Sequence, residues 1–482
     1  MDKMEEKRGR PCGSIAAILS FLLLHAGHTF AGEPGTPPSQ KEFWIPPPGF
    51  QGEPVPLREE AWIPPDLSER IQNLTVTDLI DLALLTSPET RASWYRARSA
   101  REGLRAEKGA YYPQLDLALD ANRIHGSAVG GRFKFDQKTL VPSASLAFTL
   151  FDFGKKGAEV EERRQELIAA NWNHNATVQD LVLEVQQAYY QYLNARALVQ
   201  AEESAWKEAQ VSLEAAEYRQ RAGVATIADV LQARTALSQA ELSLETIRGQ
   251  IQIIRGMIAT SLGISPTTDF DVKGELPEEL PLDQVTQNIE FLIEEARAKR
   301  PDLAATRALA SKAEAHIRNV KREGWPVLET SGTLERVYYY DPNLTSDNYA
   351  FGVSLRFPLF TGLRHRHEVH EAEEDLEAAR SIISDLEQQV TFEVWASYFN
   401  VKTASEKVKT SRDLLQSAQR SHETALGRYK AGVGSILELL PAQVALEDAR
   451  AQSIRAKTDW LLSVAQLEHD IGTLWLPSES QR

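Results

Sequence analysis

The spacing of apolar residues predicts a few very long helices. Two segments without interior proline run from about Lys156 to Gln220 and from about Arg364 to Lys430. In both, apolar residues recur at steps of four and three: Leu181, Val185, Ala188, Tyr192, Ala195, Val199, and Val390, Val394, Ser397, Val401, Ala404, Val408. Heptad spacing is typical of coiled coils, and about 60 residues of helix reach roughly 90–100 Å. An ordinary helical core is the alternative, but compact bundles seldom use helices this long.

Four shorter segments alternate apolar with polar or small residues, which predicts β-strands at residues 113–123, 142–151, 327–336 and 348–359. Such strands fit a membrane barrel with lipid outside and water inside. They equally fit a soluble sheet lying on a core. Four strands cannot close a barrel, because ordinary barrels have at least about eight. A membrane location would therefore require two copies of the chain, or three with room for a pore.

From the strands onward the chain repeats itself at a constant interval. Gly223 and Gly432 lie 209 positions apart, and so do Phe151 and Phe360. This interval is too long for a solenoid repeat. It predicts two equivalent halves of one object, residues 67–284 and 285–475, each with the order helix, strand, strand, very long helix, tight turn and helix.

The ends of the chain differ in composition from the repeats. Residues 1–31 have the basic start and the short apolar run of a secretory signal peptide. Residues 32–66 are rich in proline and are predicted to be extended, and residues 476–482 form a tail. The single cysteine, Cys12, precedes the apolar run, so we expect no lipid anchor, disulfide or thiolate metal site.

Charge and motifs argue against several classes of function. The formal net charge of −15, without a basic patch, disfavours nucleic-acid binding. The sequence has no glycine-rich phosphate loop and no nucleophile elbow, so we expect neither an enzyme nor a cofactor. His365, His367 and His370 are weak candidates for a metal site. Because Arg364 and Arg366 lie among them, a basic collar after the last strand is the preferred interpretation.

Two glycine turns are the sharp reversals between long helices. They are Ala222-Gly223-Val224 and Ala431-Gly432-Val433. Glycine supplies the positive φ that a tight reversal requires. We predict that these tips, near 222–225 and 431–435, bind a partner; the alternative is that they only reverse the chain.

Several motifs together resemble the TolC-like outer membrane efflux proteins. They are Ser87-Pro88-Glu89, Arg300-Pro301-Asp302, Tyr112-Pro113-Gln114-Leu115, Leu150-Phe151-Asp152-Phe153-Gly154, and the glycine turns followed by Asp229-Val230-Leu231 or Glu438-Leu439-Leu440. The resemblance implies a mainly α-helical fold with a small β part. It implies a homotrimer whose twelve-stranded outer membrane barrel continues into a periplasmic α-helical coiled-coil barrel. Its expected partners are outer membrane lipid, a periplasmic adaptor (membrane fusion) protein and an inner-membrane pump of the RND or ABC type.

The resemblance also implies a gate at the periplasmic end of the tunnel. In the family, the position of Tyr429 can hydrogen-bond the acid at the position of Asp229, and the position of Glu438 belongs to an acidic entrance ring. This chain departs from relatives at Gly434, where they can carry a basic residue, and at Pro441, where they can carry a second acid.

The expected function is an exit duct of a tripartite efflux pump or a type I secretion system in a Gram-negative outer membrane. It would export small molecules or polypeptides as a passive, porin-like channel that opens when the adaptor and pump dock. The main alternative is a soluble periplasmic coiled-coil scaffold or adaptor. A periplasmic hydrolase is a weaker rival, because the sequence shows no convergent set of titratable residues.

Overall fold

The computed structural model describes residues 73–128, 130, 132–282, 288–340 and 343–474. The predicted signal peptide, proline-rich segment and C-terminal tail lie outside these residues. In the described part of the first repeat the elements are α1 (Val76–Thr86), α2 (Pro88–Lys108), a 3-10 turn (Gly109–Tyr111), β1 (Gln114–Ala128), β2 (Phe133–Phe151), α3 (Lys155–Arg221) and α4 (Ile227–Ser261). In the second they are α5 (Ile289–Lys299), α6 (Pro301–Glu323), β3 (Val327–Tyr340), β4 (Asn343–Arg356), α7 (Arg364–Lys430) and α8 (Ile436–Ile471).

Both repeats have the predicted order, except that two helices and not one precede the strands. The mainly α-helical class with a small β part is confirmed. The long helices α3 and α7 each contain 67 residues. Of the twelve heptad positions, all are buried except Val199, which is partly buried. Most of them contribute to two apolar clusters, around Val185 in the first repeat and around Val394 in the second, and Ala404 and Val408 belong to a third. Among the described residues, no helix combines the length and the apolar character needed to cross a bilayer.

The four strands form one antiparallel sheet in the order β1-β2-β3-β4. The central pairing, β2 with β3, joins the two repeats. Along the outer part of each hairpin the strands run further than predicted. There the apolar alternation fades, but the backbone ladder continues and two equivalent ion pairs cross it: Arg123 with Asp136 at 2.7 Å and Arg336 with Asp347, whose Nη2–Oδ2 distance is 2.9 Å.

The apolar face of the sheet is open to solvent in a single chain. Leu117 in β1 is 81% exposed, and Tyr349 and Phe351 in β4 are 84% and 78% exposed. Neither β1 nor β4 has a partner strand on its outer edge among the described residues. The sheet therefore does not lie on a core, which is what the soluble alternative requires.

The end of α8 is connected to α3 by a histidine that lies between two carboxylates. His469 Nε2 lies 2.9 Å from Asp180 Oδ1, and its Nδ1 lies 3.1 Å from Asp470 Oδ1. Burial alone would lower the pKa of His469, but the hydrogen bonds to Asp180 and Asp470 outweigh burial and raise the pKa to about 9. Asp470 also accepts a hydrogen bond from Ser397 of α7, so this network joins three long helices.

A pair of carboxyl groups lies between α3 and α8, closer to the tips. Glu202 is 8% exposed, and its Oε2 is buried without a hydrogen-bond partner among the described residues. Burial and then the neighbouring charge of Glu202 raise the pKa of Glu447 to about 7, with smaller contributions from Asp448 and Glu208. When Glu447 is protonated, its hydroxyl can donate to Glu202, as expected for two carboxyl groups that share a site.

Candidate functional site

Each long helix reverses at a glycine with a left-handed backbone. Gly223 has a φ of 73° and Gly432 a φ of 82°. The following residue donates its N–H back to the helix, from Val224 to the Arg219 carbonyl at 3.0 Å and from Val433 to the Arg428 carbonyl at 3.1 Å. These are the 6→1 bonds of a Schellman cap. The two turns are therefore equivalent structures at the positions that the sequence predicts.

Apolar side chains surround both turn glycines and are exposed. Val224 and Val433 are 65% and 69% exposed, and Leu437 is 67% exposed. The alanine before each glycine is also exposed. A Cβ atom added at Gly223 or Gly432 would meet no atom within 4 Å, so the space in front of each turn is open. An apolar end on a mostly polar helical hairpin is typical of a surface that binds another protein.

Tyr429 lies inside the tip and not in its opening. It is 2% exposed and packs between the hairpins against Val230, Ile436 and Leu439. Its hydroxyl is buried and has no hydrogen-bond partner among the described residues. The predicted hydrogen bond from Tyr429 to Asp229 is therefore absent, and that prediction was wrong for the single chain.

The Asp229 carboxylate is already engaged at the start of α4. The N–H of Thr226 donates to Asp229 Oδ2 at 2.7 Å, and the N–H of Asp229 donates to Thr226 Oγ1 at 3.2 Å. This reciprocal pair is a capping box, and the spacing of Thr226 and Asp229 in the sequence was the signal for it. Ser435, at the start of α8, makes no such side-chain bond. The second hairpin therefore lacks a cap that the first one has.

Glu438 faces an arginine of its own hairpin. Its Oε2 lies 3.5 Å from Arg428 Nε, and both side chains are 53% exposed. An ion pair this exposed contributes little to stability. The Arg428 charge does offset part of the negative charge that Glu438 would contribute to the predicted acidic ring.

Arg219 connects the two hairpins and was missed in the sequence. Its Nη1 donates to the Tyr429 carbonyl at 2.6 Å and to the Gly434 carbonyl at 3.4 Å. Its guanidinium carbon lies 4.5 Å from the centre of the Tyr429 ring. A basic residue in the last turn of a helix usually stabilises the carbonyl groups at the end of that helix. Here Arg219 stabilises the end of the neighbouring helix, α7.

The two departures from the family pattern have different structural settings. At Gly434, an added Cβ would lie 3.1 Å from backbone and Cβ atoms of Arg428 and Tyr429, so a larger residue would have to move the turn. Pro441 lies within α8, which continues through it to Ile471. Proline there removes one backbone donor from the first turns of that helix.

The three histidines after β4 do not converge. His365 packs against Gly324, and His370 Nδ1 lies 3.3 Å from Glu373 Oε2. His367 is exposed. Among the described residues, no group of histidine, cysteine and carboxylate side chains could hold a metal ion. This disagrees with the weak metal interpretation of the histidine motif.

The sequence matches the family description "Outer membrane efflux protein" in two segments, residues 79–264 and 292–473. The chain belongs to the outer membrane efflux protein family. The resemblance noted in the sequence is thus confirmed. The family is one of channel and transport proteins and not of enzymes. Its two matched segments lie one in each repeat.

Relatives in the efflux family align with most of the chain. Protein CyaE of Bordetella pertussis is 29% identical over 418 residues, covering 85% of each chain. The outer membrane protein TolC of Vibrio cholerae is 25% identical over 438 residues, covering 85% of this chain and 93% of its own. The probable efflux pump outer membrane protein TtgC of Pseudomonas putida is 23% identical over 437 residues, covering 89% and 88%.

Solved structures of outer membrane proteins share the fold. The outer-membrane channel OprN superposes with a TM-score of 0.75 at 20% identity, covering 83% of this chain and 91% of its own. VceC of Vibrio cholerae gives a TM-score of 0.71 at 20% identity, covering 82% and 96%. At this identity the likeness concerns the fold alone.

Proposed function

We propose that this protein is the outer membrane exit duct of a tripartite efflux pump or a type I secretion system. It would pass small molecules or polypeptides across the outer membrane as a passive conduit. Family membership supports the location and the transport role. The observation that carries the proposal is a sheet with an exposed apolar face and two open edges, attached to helices of 67 residues.

The sheet needs further copies before it can lie in a membrane. Each unpaired backbone group in hydrocarbon costs several kcal/mol, so the edges β1 and β4 have to be paired. Pairing β4 of one copy with β1 of the next extends the sheet by four strands per copy. Three copies give twelve strands, enough to enclose a pore.

Unequal exposure of repeat-related positions supports this ring. Phe392 in α7 is 70% exposed, whereas Leu183, its equivalent in α3, is partly buried. Leu414 in α7 is 42% exposed, and its equivalent Ala205 is 1% exposed. Within one chain α3 packs against α6 and α8 of the second repeat as well as against its own α4. The positions on α7 stay exposed, which is consistent with cover from the next copy.

The hairpin tips would form the periplasmic entrance and the surface for an adaptor protein, which links the duct to an inner-membrane pump of the RND or ABC type. The exposed Val224 and Val433 beside the open glycines support this assignment. Asp229 and Glu438 would form acidic positions around the entrance. Rings of carboxylates favour cations in a narrow pore, so Glu438→Gln should reduce cation selectivity in planar bilayers.

Fractionation and native mass spectrometry test the proposal together. The protein should remain in the outer membrane after carbonate extraction. In native mass spectrometry of the detergent-solubilised protein, it should be detected as a trimer. A soluble scaffold, the second candidate, would be extracted by carbonate. Recovery as a carbonate-soluble monomer would refute the duct.

A further inference from the structure

An arginine occupies the same position near the end of both long helices. Arg219 and Arg428 lie 209 positions apart, which is the repeat interval. Arg219 binds the carbonyl groups of Tyr429 and Gly434 on the second hairpin. The last carbonyls of a helix carry partial negative charge. A cation brought from the adjacent hairpin therefore stabilises the turn and joins the two hairpins.

Arg428 has no third hairpin to reach within its own chain. Its Nε lies 3.5 Å from Glu438, and its side chain is 53% exposed. Among the described residues, its two terminal nitrogens donate no hydrogen bond of the kind that Arg219 makes. The Arg428 side chain therefore has donors free for a partner.

The first hairpin presents the carbonyls that such a partner would need. The positions equivalent to Tyr429 and Gly434 are Gln220 and Ala225. The Gly223 N–H donates to the Gln220 carbonyl at 3.0 Å, just as the Gly432 N–H donates to the Tyr429 carbonyl at 3.1 Å. The two turns thus place equivalent acceptors at the ends of α3 and α7.

A closed ring of identical copies brings these groups together. Contacts in such a ring are head-to-tail, so the second hairpin of one copy meets the first hairpin of the next. If the repeat relation continues around the ring, the contact between the second hairpin of one copy and the first hairpin of the next has the same geometry as the contact between the two hairpins of one chain. The uncovered positions on α7 and the unpaired edge β4 both belong to the second repeat, whereas the other unpaired edge, β1, belongs to the first.

We propose that Arg428 binds the carbonyl groups of Gln220 and Ala225 on the next copy of this chain. The tips of a trimer are then closed by six arginine contacts, three within chains and three between chains. This inference rests on the proposed trimeric channel. The two kinds of contact differ in one respect. Gln220 has no aromatic ring for a guanidinium to stack on, so the contact between chains is the weaker one and opens first.

Thiol cross-linking tests the contact. The only natural cysteine, Cys12, lies in the predicted signal peptide, so the mature protein offers a thiol-free background. With Arg428→Cys and Gln220→Cys in one chain, a short bis-maleimide should produce covalent dimers and trimers on a denaturing gel. Each single variant should remain monomeric. Arg428→Cys with Glu438→Cys is the matched control, and it should link within one chain.

The outcomes separate this contact from the channel itself. Suppose that native mass spectrometry shows a trimer and the control pair cross-links, but the Arg428–Gln220 pair gives no covalent trimer. This result overturns the contact and leaves the channel proposal standing. A protein that is never trimeric overturns both.

Channel recordings give a second readout. Arg428→Ala should raise the open fraction of channels in planar bilayers about three-fold, and Arg219→Ala about ten-fold or more. The larger effect is expected for Arg219 because it makes charged hydrogen bonds and also stacks on Tyr429, whereas Arg428 would make the hydrogen bonds alone. An unchanged open fraction in Arg428→Ala, with a rise in Arg219→Ala, also overturns the proposal.

Discussion

Glu447→Gln should stabilise the protein at alkaline pH and have little effect at acid pH. Burial and the adjacent Glu202 raise the pKa of Glu447 from its ordinary 4.5 to about 7. A carboxyl group with a raised pKa contributes stability that is fully present below pH 4.5 and is lost as pH rises through about 7. Above that pH the ionised pair opposes folding. The glutamine amide keeps a donor for Glu202 and carries no charge.

The size of the effect follows from the change in pKa. At about 1.4 kcal/mol per tenfold change, a rise from 4.5 to about 7 corresponds to roughly 3 kcal/mol as an upper limit. Glu447 is only partly buried, and solvent screens its charge. We therefore expect about 1–2 kcal/mol per chain at pH 8.5 and close to zero at pH 4.5.

Denaturant unfolding in detergent, followed by helical circular dichroism at pH 4.5 and pH 8.5, measures this difference. Asp459→Asn is the control, because it removes one exposed carboxylate from the same helix. The control should shift neither midpoint. Equal gains for Glu447→Gln at both pH values, or a loss at pH 8.5, would refute a shared proton between Glu447 and Glu202.

Three other substitutions test the tips and the junction of the long helices. Tyr429→Phe removes a buried hydroxyl without a partner, so single-channel opening should stay the same, whereas a hydroxyl that holds the gate would give more opening. His469→Asn should lower the free energy of unfolding by about 2 kcal/mol at pH 7. The contribution of the histidine is fully present below pH 6.5 and is lost as pH rises through about 9. The unfolding midpoints of variant and parent should therefore approach each other at pH 10. Gly432→Asp should reduce adaptor cross-linking and export while the trimer persists, because φ at this position is 82°; intact export would exclude docking at this turn.

Local patterns in the sequence predicted the parts of the fold that depend on local physics. Heptad spacing predicted the two long helices, which are observed as Lys155–Arg221 and Arg364–Lys430. Glycine set the turns, since positive φ is a property of one residue. The strand ends were less predictable, because polar ion pairs continue the ladder after the apolar alternation stops.

The chemistry of the tips was harder to predict because it depends on tertiary contacts. Asp229 was assigned to Tyr429, but a capping box with Thr226, three positions earlier, engages the carboxylate first. Arg219 lies in the last turn of α3, and no local motif marks its role. Its acceptors lie more than 200 positions away in the sequence, and only the repeat interval linking Arg219 to Arg428 offered a signal.

The pairing of β2 with β3 has a consequence for biogenesis. Thr139 pairs with Tyr339, and the intervening chain includes α3, the first hairpin turn and α4. Residues so far apart are slow to meet, and β2 leaves the ribosome well before its partner exists. During export, an apolar strand would therefore travel with an unpaired edge, which is a template for aggregation. Building one sheet from two distant halves of a chain therefore leaves this segment exposed until the second repeat arrives.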